Sequence, residues 1–570
     1  MRTHSSFKLA STLDSFSFLR KKRRPINRQP QDASFLARQP VEILILILQK
    51  VDYRSLLRLS VTCRLIHSLT KTVPEIQYTI VLAAEGALDG SFDVPPTVNE
   101  RLERILHRRN RWRTLDWRRH HSLRIPATNS ILFPDPNSFF TFTQGAFITT
   151  IHNNHHYISS FIVTWLPKRG EAVRSLVIDN FDLPEDIVLD NYIPPPPHDL
   201  NTDPVQQVSV YPHLDLVILL KVSRRGTHQV LFDLHLRSLK SAARHVHPRC
   251  TFGIVHNPYL YISRCSWPLI RVLGDFVALH VCHDGDGNIS VWNWVTGDKI
   301  AEFTDKFLDK RLYDLAFISP KTLIATVSVG TFDRETRTAR SAMIWVYDLR
   351  ATQANAQPAV FCLPAFGSSD ILVASFRCSS DIPAATTCSH EDDLPAPYPV
   401  VLGLSTMSPR KAANAEKLQT FMVVRSDAFT TCLRASSIRD SSRSAVMLPW
   451  EEWGPRYARL FEPNLFRWTL WGNAGNGCIV SPECVPFCND PLRILDFLAG
   501  RYKPHELVTK PSTFRSSIFK HSVTSSLPYH VITIPGIQQS GNFVLNEDHL
   551  VRYAEIPSPD AMMDVDVLDV

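Results

Sequence analysis

Acidic and amide side chains alternate in the stretch DGDGN, residues 284–288, and this spacing is typical of the start of a calcium-binding loop. Such a loop needs a glutamate at its twelfth position, where this chain has Val295. The stretch also lies between two apolar, β-rich runs, and Asp286–Gly287 can supply the positive φ angles of a tight hairpin. The sequence therefore predicts a hairpin turn here rather than a calcium site.

Two other groups of residues have side chains that could bind a metal. The stretch HNNHH, residues 152–156, has strand-like flanks, which would place His155 and His156 on opposite faces of a sheet. The three cysteines between 478 and 488 match no common zinc spacing and have no paired fourth ligand. The nucleotide-binding, zinc-protease and serine-hydrolase motifs are also absent from the sequence. We therefore predict no catalytic residue, no metal and no cofactor, and a chain that is not an enzyme.

The net charge of +7 is concentrated at the start of the chain. Residues 1–40 contain nine Lys and Arg against two Asp, which gives 9 − 2 = +7, so the remaining residues sum to zero. A neutral body argues against nucleic acid as the main partner of the folded part. The basic run RKKRRP, residues 20–25, is predicted to be part of a disordered tail over 1–35. The alternatives are a nuclear import signal, a weak contact with an anionic surface, or a mitochondrial transit peptide.

Length and cysteine usage indicate a soluble chain of more than one unit. The 570 residues exceed a typical single domain, and the eleven scattered cysteines suit reduced thiols better than a disulfide framework. The longest apolar run, Ile43 to Leu48, is far shorter than the roughly 18 residues that cross a bilayer. We expect a cytoplasmic or nuclear protein, or one found in both places.

A strongly apolar helical segment spans residues 36–80. Pro40 can occupy a first helical turn, and the run from Val41 to Leu48 is apolar on nearly every face. Residues 53–71 then repeat apolar positions at helical spacing, which predicts one or two further short helices. About 40 residues cannot bury this much apolar surface alone. The surplus predicts a partner, either another protein or the rest of the chain.

The segment QPVEILILILQKVDYRSLLRLSVTCRLIHSLT, residues 39–70, resembles an F-box. The F-box pattern is Leu-Pro, Glu, an aliphatic run, an LD turn, a DLL start and a Val-Cys-Arg stretch, and this chain departs from it at Gln39, Ser55 and Thr62. The resemblance implies docking on the Skp adaptor of a cullin–RING ubiquitin ligase. A helical cap on the next domain is the alternative interpretation. The predicted interface residues are Pro40, Glu42, Ile43, Leu44, Ile47, Leu48, Leu56 and Leu57.

Residues 81–120 are predicted to form a linker helix region. Thr97 and Glu100 have the spacing of a capping box, and Leu102, Ile105 and Leu106 continue as a helical stripe. The arginines of this helix would be solvated, although binding of single-stranded RNA by charge and stacking is an alternative.

From residue 121 to 555 the pattern changes to short β-rich runs separated by Pro, Asp and Asn. In HVCHDGDGNISVWNWVTGDKIAEF, Trp292 and Thr296–Gly297 follow the predicted hairpin at the offsets of a WD-repeat blade. Leu236, Trp292 and Tyr347 lie 56 and 55 residues apart, and Ile178 lies 58 residues before Leu236. This long period predicts a β-propeller with extended loops, among them residues 191–204 and 379–399. The fold class is therefore α plus all-β, in several domains.

Taken in order, the segments of residues 36–555 are similar to a large family of fungal F-box proteins with propeller-like C-terminal regions. The resemblance implies a substrate-recognition adaptor that binds the Skp adaptor and the cullin–RING core through the F-box, and an unknown target protein through the propeller. Two alternatives are a ligase-independent interaction scaffold and a propeller hydrolase or lyase. Residues 556–570 contain four aspartates and no basic residue, and they are predicted to be an acidic disordered tail.

Overall fold

The computed structural model describes the chain from residue 39 onward, with gaps. The described residues are 39–84, 97–114, 119–126, 141–143, 145–152, 158–166, 173–179, 205–225, 229–260, 268–283, 286–306, 310–331, 338–350, 358–367, 371–379, 397–407, 418–437, 446–461, 478–481, 492–498, 502–534, 542–545, 549–553 and 562–569. The predicted tail over 1–35, residues 153–156 of the histidine stretch, Cys484, Cys488 and most of the two predicted loops lie outside them.

The N-terminal part of the chain is helical. Its helices are α1 (Val41–Leu48), α2 (Tyr53–Ser60), α3 (Arg64–Thr72), α4 (Pro74–Ala84) and α5 (Val98–Thr114). The helices α1 to α4 share one small core, which includes Leu44, Leu56, Ile66 and Ile76. Tyr78 and Val81 of α4 contact Leu102 of α5 in a separate cluster. None of the helices in the described ranges is long and apolar enough to cross a membrane.

The helix predicted to start at Thr97 is present. The Thr97 backbone N–H donates to Glu100 Oε2 at 2.9 Å, and the Glu100 N–H donates to Thr97 Oγ1 at 3.3 Å, so the predicted capping box forms. The preceding helix α4 runs to Ala84, past the predicted domain boundary at residue 80.

The remainder is a mainly β domain arranged as a six-bladed propeller, with six sheets of four or five strands. Five of these blades follow one another along the chain. The first blade contains β2 (Thr141–Thr143), β3 (Ala146–His152), β4 (Ile158–Trp165) and β5 (Arg174–Asp179). The second contains β6 (Val205–Tyr211), β7 (Leu216–Arg225), β8 (Gln229–Ser238) and β9 (Ile254–Leu260). The third contains β10 (Leu269–Leu273), β11 (Phe276–His283), β12 (Asp286–Asn293) and β13 (Lys299–Lys306).

The fourth and fifth blades carry insertions. The fourth contains β14 (Lys310–Ser319), β15 (Thr322–Thr331), β16 (Thr338–Asp348), β17 (Ala359–Cys362) and, parallel to β17, β21 (Met447–Leu448). The fifth contains β18 (Leu372–Ser379), β19 (Pro399–Met407), β20 (Leu418–Arg425) and β22 (Ala458–Phe461). Two helices, α6 (Asp427–Ser437) and α7 (Trp450–Tyr457), lie between β20 and β22 in sequence.

A smaller sheet follows the fifth blade. It contains β23 (Cys478–Ser481), β24 (Leu492–Asp496) and β27 (His530–Ile534), and a short hairpin of β25 (Ser512–Phe514) and β26 (Val523–Ser525) lies between β24 and β27 in sequence. Leu495 and Phe497 pack with Phe421 and Phe461 of the fifth blade. The small sheet is therefore joined to the fifth blade by an apolar core.

The closing blade joins the two ends of the β domain. Its strands, in spatial order, are β1 (Arg119–Pro126), β30 (Met562–Asp569), β29 (His549–Tyr553) and β28 (Asn542–Leu545). β30 pairs antiparallel with both β1 and β29, and its Val565 and Val567 are fully buried. The prediction of a disordered acidic tail over 556–570 is therefore wrong for residues 562–569.

Alternation explains how an acidic segment can be a central strand. Asp564 and Asp566 alternate with the buried valines, so the carboxylates lie on the other face of the sheet. There Ser122 Oγ donates to Asp566 Oδ1 at 2.7 Å, and Arg124 Nε donates to Asp564 Oδ1 at 3.1 Å. The net charge of residues 556–570 suggested disorder, because a net charge does not show that acidic and apolar residues alternate along the segment.

The core of the β domain lies between neighbouring blades. One cluster joins the second and third blades and includes Leu234 and Leu236 of β8 together with Trp292 and Trp294. A larger cluster joins the third, fourth and fifth blades. The blades are therefore held together by apolar contacts along most of the ring.

A buried ion pair also joins three of the blades. Arg271 Nη2 of β10 donates to Asp314 Oδ1 of β14 at 2.5 Å, and the Cys378 N–H of β18 donates to Asp314 Oδ2 at 3.2 Å. Asp314 is fully buried, so loss of its partner Arg271 would leave an uncompensated charge inside the domain. These contacts fix the first strands of three blades to one another.

The predicted period holds for three of its four positions. Leu236, Trp292 and Tyr347 are buried and lie near the ends of β8, β12 and β16, the third strands of successive blades. Ile178 is buried as well, but it lies on β5, the fourth strand of its blade. The prediction that Ile178 belongs to the same repeat is wrong. The 58 residues between Ile178 and Leu236 join a fourth strand to a third strand, and they include residues 180–204 between β5 and β6.

The predicted hairpin is confirmed, but the prediction that Asp286–Gly287 form its turn is wrong. β11 and β12 pair antiparallel, His283 opposite Asp286, so Asp286 and Gly287 begin β12 and do not form the turn. Residues 284–285 lie outside the described residues. The turn at Thr296–Gly297 between β12 and β13 is present, with Gly297 at φ 84°. The strands β3 and β4 that were predicted to flank the histidine stretch are present too.

Substitution of Trp292 by alanine should destabilise the β domain by about 3 to 5 kcal/mol, because the indole is only 3% exposed and its loss leaves a cavity between two blades. Phe252→Ala is the matched control, since that aromatic ring is 71% exposed and should change the stability by less than about 1 kcal/mol. Chemical denaturation followed by tryptophan fluorescence and circular dichroism measures both. Equal midpoints for Trp292→Ala and the unmodified protein would contradict the assignment of Trp292 to the core.

Candidate protein-interaction surface on the helical domain

The helix α1 begins where the sequence predicts. Pro40 occupies its N-cap position with φ −52° and ψ 145°, and the Leu44 N–H donates to the Pro40 carbonyl at 3.1 Å. Proline has no N–H to leave unsatisfied, so it costs little at this end of a helix. The run VEILILIL then places apolar side chains on all sides of the helix axis.

One side of α1 belongs to the core of the helical domain. Leu44 and Leu48 are each 1% exposed, and they pack with Leu56 of α2 and with Ile66 of α3. Their spacing of four residues places them on the same face of the helix, one turn apart. This face of the helix is therefore fully used inside the domain.

The opposite side of α1 is apolar and open. Ile43, Leu46 and Ile47 are 43%, 58% and 42% exposed, and Val41 at the start of the helix is 44% exposed. The steps of three and four residues from Ile43 bring Leu46 and Ile47 onto one surface with it. We call Ile43, Leu46 and Ile47 the apolar α1 face. Contiguous exposed apolar patches are a feature of protein-interaction sites.

The structure divides the eight predicted interface residues into two groups. Pro40, Glu42, Ile43 and Ile47 are exposed, and Leu57 is partly buried. Leu44, Leu48 and Leu56 lie in the core, where their substitution would unfold the domain before it tested any interface. Val41 and Leu46 were not among the predicted residues. The position of Leu46 three residues after Ile43 is the sequence signal that could have identified it.

The turn between α1 and α2 is fixed by Asp52. Its Oδ1 accepts the Ser55 N–H at 3.1 Å, as expected for a carboxylate before the first turn of a helix. The hydroxyl of Thr62 donates to the Leu59 carbonyl at 2.8 Å and is exposed. Ser55 and Thr62 are two of the departures from the F-box pattern. Ser55 lies at the start of α2, and Thr62 lies in an exposed turn. The core contacts of Leu44 and Leu56 do not depend on either.

No group of three or more His, Cys, Asp or Glu side chains placed to hold a metal occurs among the described residues. The surface at α1 presents apolar side chains, with Glu42 in the first turn of the helix. An apolar face with few charges suits binding to another protein surface, since burial of apolar area is the main favourable contribution to association.

An F-box-like family model matches residues 37–74 of the chain, which contain α1, α2 and α3. These residues form an F-box-like domain, and a mainly β domain with a six-bladed propeller arrangement follows it. Among curated proteins, no match was found.

Several solved structures align with this chain at low similarity. The polysaccharide lyase Uly1 aligns at 8% identity over 79% of this chain and 99% of its own, with a TM-score of 0.33. The Dos1 propeller aligns at 10% identity over 76% and 97%, with a TM-score of 0.26. The N-terminal domain of Nup159 aligns at 11% identity over 64% and 73%, with a TM-score of 0.25. Scores this low do not transfer any activity or partner to this chain.

Proposed function

We propose that this chain is the substrate-recognition adaptor of a Skp–cullin–F-box ubiquitin ligase. The F-box-like domain binds the Skp adaptor, which connects the chain to the cullin–RING core, and the propeller binds a target protein. The chemistry of ubiquitin transfer takes place on the conjugating enzyme. This chain contributes proximity, because it holds a lysine of the target near an activated ubiquitin.

The apolar α1 face is the observation that carries this proposal. The core of the helical domain is complete without Ile43, Leu46 and Ile47, since Leu44, Leu48 and the other helices fill it. Three large aliphatic side chains on one exposed turn lie outside the core cluster of the domain. A partner that covers them would remove their apolar area from water, at roughly 25 cal/mol per Å².

The two-part architecture supports the second half of the proposal. The closing blade pairs the first and last strands of the β domain, and the second to fifth blades share apolar cores with their neighbours. A domain with its own core and closed topology can present a binding surface independently of the helical domain. The connections between its strands are the expected place for recognition.

A ligase-independent scaffold is the second candidate function, and it predicts a different cellular result. We expect full-length chain carrying Ile43→Asp and Ile47→Asp to keep its target, because both substitutions lie outside the propeller. It should then act as a trap that holds the target away from the ligase, and the half-life of the target should lengthen. Partners are first identified by native pull-down and mass spectrometry, and their half-lives are measured with the unmodified chain and with the variant.

Two further arms of this experiment separate the candidates. Blocking cullin activity should lengthen the same half-lives in cells with the unmodified chain and have little added effect with the variant. A scaffold would bind the same partners in every arm without any change in their turnover. Unchanged half-lives throughout would replace the ligase proposal with the scaffold.

A further inference from the structure

The connection between β8 and β9 of the second blade, residues 239–253, has an unusual backbone. Ala242 and Ala243 have φ angles of 54° and 60°, in the left-handed region that non-glycine residues rarely adopt. Each such residue costs roughly 1 kcal/mol or more and persists only where its surroundings fix it. The conformation of this segment therefore depends on specific contacts.

Those contacts begin at Asp215, in the turn between β6 and β7. Its Oδ1 accepts the Lys240 N–H at 2.7 Å, and its Oδ2 accepts the Ser238 hydroxyl at 2.7 Å. The buried His247 ring is hydrogen-bonded through Nε2 to the Leu214 carbonyl at 2.9 Å. Hydrogen bonds therefore hold both the first and the second half of the segment against its own blade.

Further contacts join the segment to the third blade. Arg249 Nη2 donates to Asp275 Oδ1 at 2.6 Å, and the Arg249 guanidinium lies 5.3 Å from the centroid of the Trp294 ring. The Thr251 N–H donates to the Val295 carbonyl at 2.9 Å. The segment thus forms a fixed bridge over two blades, and its backbone loses little conformational entropy when a partner binds.

The bridge exposes an aromatic ring. Phe252 is 71% exposed and Val246 is 45% exposed. One part of the Phe252 ring rests on the β12–β13 turn, where a Cβ added to Gly297 would come within 2.5 Å of ring Cδ2. One edge of the ring therefore contacts the β12–β13 turn, and most of the residue is exposed to solvent. Exposed aromatic side chains held in place in this way are the residues that most often dominate binding energy at interfaces.

The same segment is basic. Residues 239–253 contain Lys240, Arg244 and Arg249 and no acidic residue. Arg249 pairs with Asp275, whereas Lys240 and Arg244 are exposed and form no ion pair with any residue in the part of the chain that the structure describes. Asp298 in the adjacent turn accepts a hydrogen bond from the Thr296 hydroxyl at 2.7 Å and is the acidic residue of that turn. Two exposed cations therefore lie on the same short segment as the exposed Phe252 and Val246 side chains.

We infer that Lys240, Arg244, Val246 and Phe252, which we call the Phe252 surface, bind an acidic segment of a partner protein that places an apolar side chain on the Phe252 ring. Carboxylates of the segment face Lys240 and Arg244, and the apolar side chain covers Phe252 and Val246. A protein partner is favoured over nucleic acid because the exposed Val246 adds apolar contact that a phosphate backbone would not use. The identification of this partner as the ligase target rests on the proposed function, but the binding itself does not.

The test is a selection of peptides from a random display library on the purified full-length chain. We expect the selected peptides to be acidic and to share one aromatic or aliphatic position. Resynthesised with a fluorescein label, they should bind saturably in fluorescence anisotropy. Substitution of Lys240 and Arg244 by Glu should weaken the selected peptides by about tenfold or more, and Phe252→Ser should weaken them by a similar factor.

The control variant carries Arg515→Glu and Lys520→Glu, an equal charge change at two exposed residues of the β25–β26 hairpin. It should leave the affinity within about twofold. Equal weakening by both charge-reversed variants would overturn the site, as would selected peptides without acidic residues, selection of no peptide, or efficient displacement by single-stranded RNA. The Ile43→Asp and Ile47→Asp chain should bind the peptides normally, so a failed ligase proposal and a failed Phe252 surface give different results.

Discussion

Removal of the last strand, β30, is expected to abolish cooperative folding of the β domain. β30 lies between β1 and β29, so its loss breaks two strand pairings and separates the N-terminal strand from the rest of the closing blade. It also removes the buried Val565 and Val567, and uncovers Leu550 and Val551 of β29. The apolar contribution alone is about 5 kcal/mol or more, which is comparable to the whole stability of many domains.

The measurement compares three chains by thermal unfolding and limited proteolysis. One chain ends before residue 562, a second carries Val565→Asp and Val567→Asp, and a control carries Asp564→Ser at a side chain that is 70% exposed. The first two should show no sharp transition and rapid digestion, and the control should match the unmodified chain. A truncated chain that unfolds at the normal temperature would show that β30 does not close the propeller.

The large-scale arrangement could be predicted because it depends on local patterns. The apolar spacing of residues 41–72 predicted the helices α1 to α3, and Thr97 with Glu100 predicted the start of α5. The spacing between Trp292 and Tyr347 predicted repeated blades, since equivalent third strands bury equivalent residues. Some of these signals extend over a few residues, and others repeat at a fixed interval. Both kinds of signal can be recognised in a single sequence.

Features that depend on contacts between distant residues could not be predicted. β30 pairs with β1 across more than 400 positions, as in the contact between Ser122 and Asp566, and no local pattern in an acidic tail indicates that pairing. The division of the α1 residues between core and surface also escaped prediction. The run from Ile43 to Leu48 contains no polar residue to orient it, so the choice of Leu44 as core and Ile43 as surface is made by α2 and α3.

The Phe252 surface illustrates the same limit. Phe252 and Val246 would be assigned to a core from sequence because they are apolar, and the left-handed conformation of Ala242 and Ala243 has no sequence signal. Only the contacts of the segment with Asp215 and Trp294 show that it is held away from the core.

The apolar α1 face gives the second prediction of large effect, in binding to the Skp adaptor. Ile43→Asp with Ile47→Asp places two carboxylates on the exposed turn, where they would be buried without partners in a complex. We expect the affinity of the full-length chain for purified Skp adaptor to fall by about 100-fold or more. The double variant should remain folded and unfold cooperatively, because both side chains are more than 40% exposed and lie outside the core cluster.

The direct test is isothermal titration calorimetry of purified Skp adaptor with the unmodified chain, with this double variant, and with a control that carries Val177→Asp and Met447→Asp. The control residues are 56% and 60% exposed and lie on the β domain. The account predicts tight binding by the unmodified chain and the control, and no measurable heat with the folded double variant. Undiminished binding by the folded double variant, or no binding by the unmodified chain, would contradict the assignment of the F-box-like domain as the contact with the ligase.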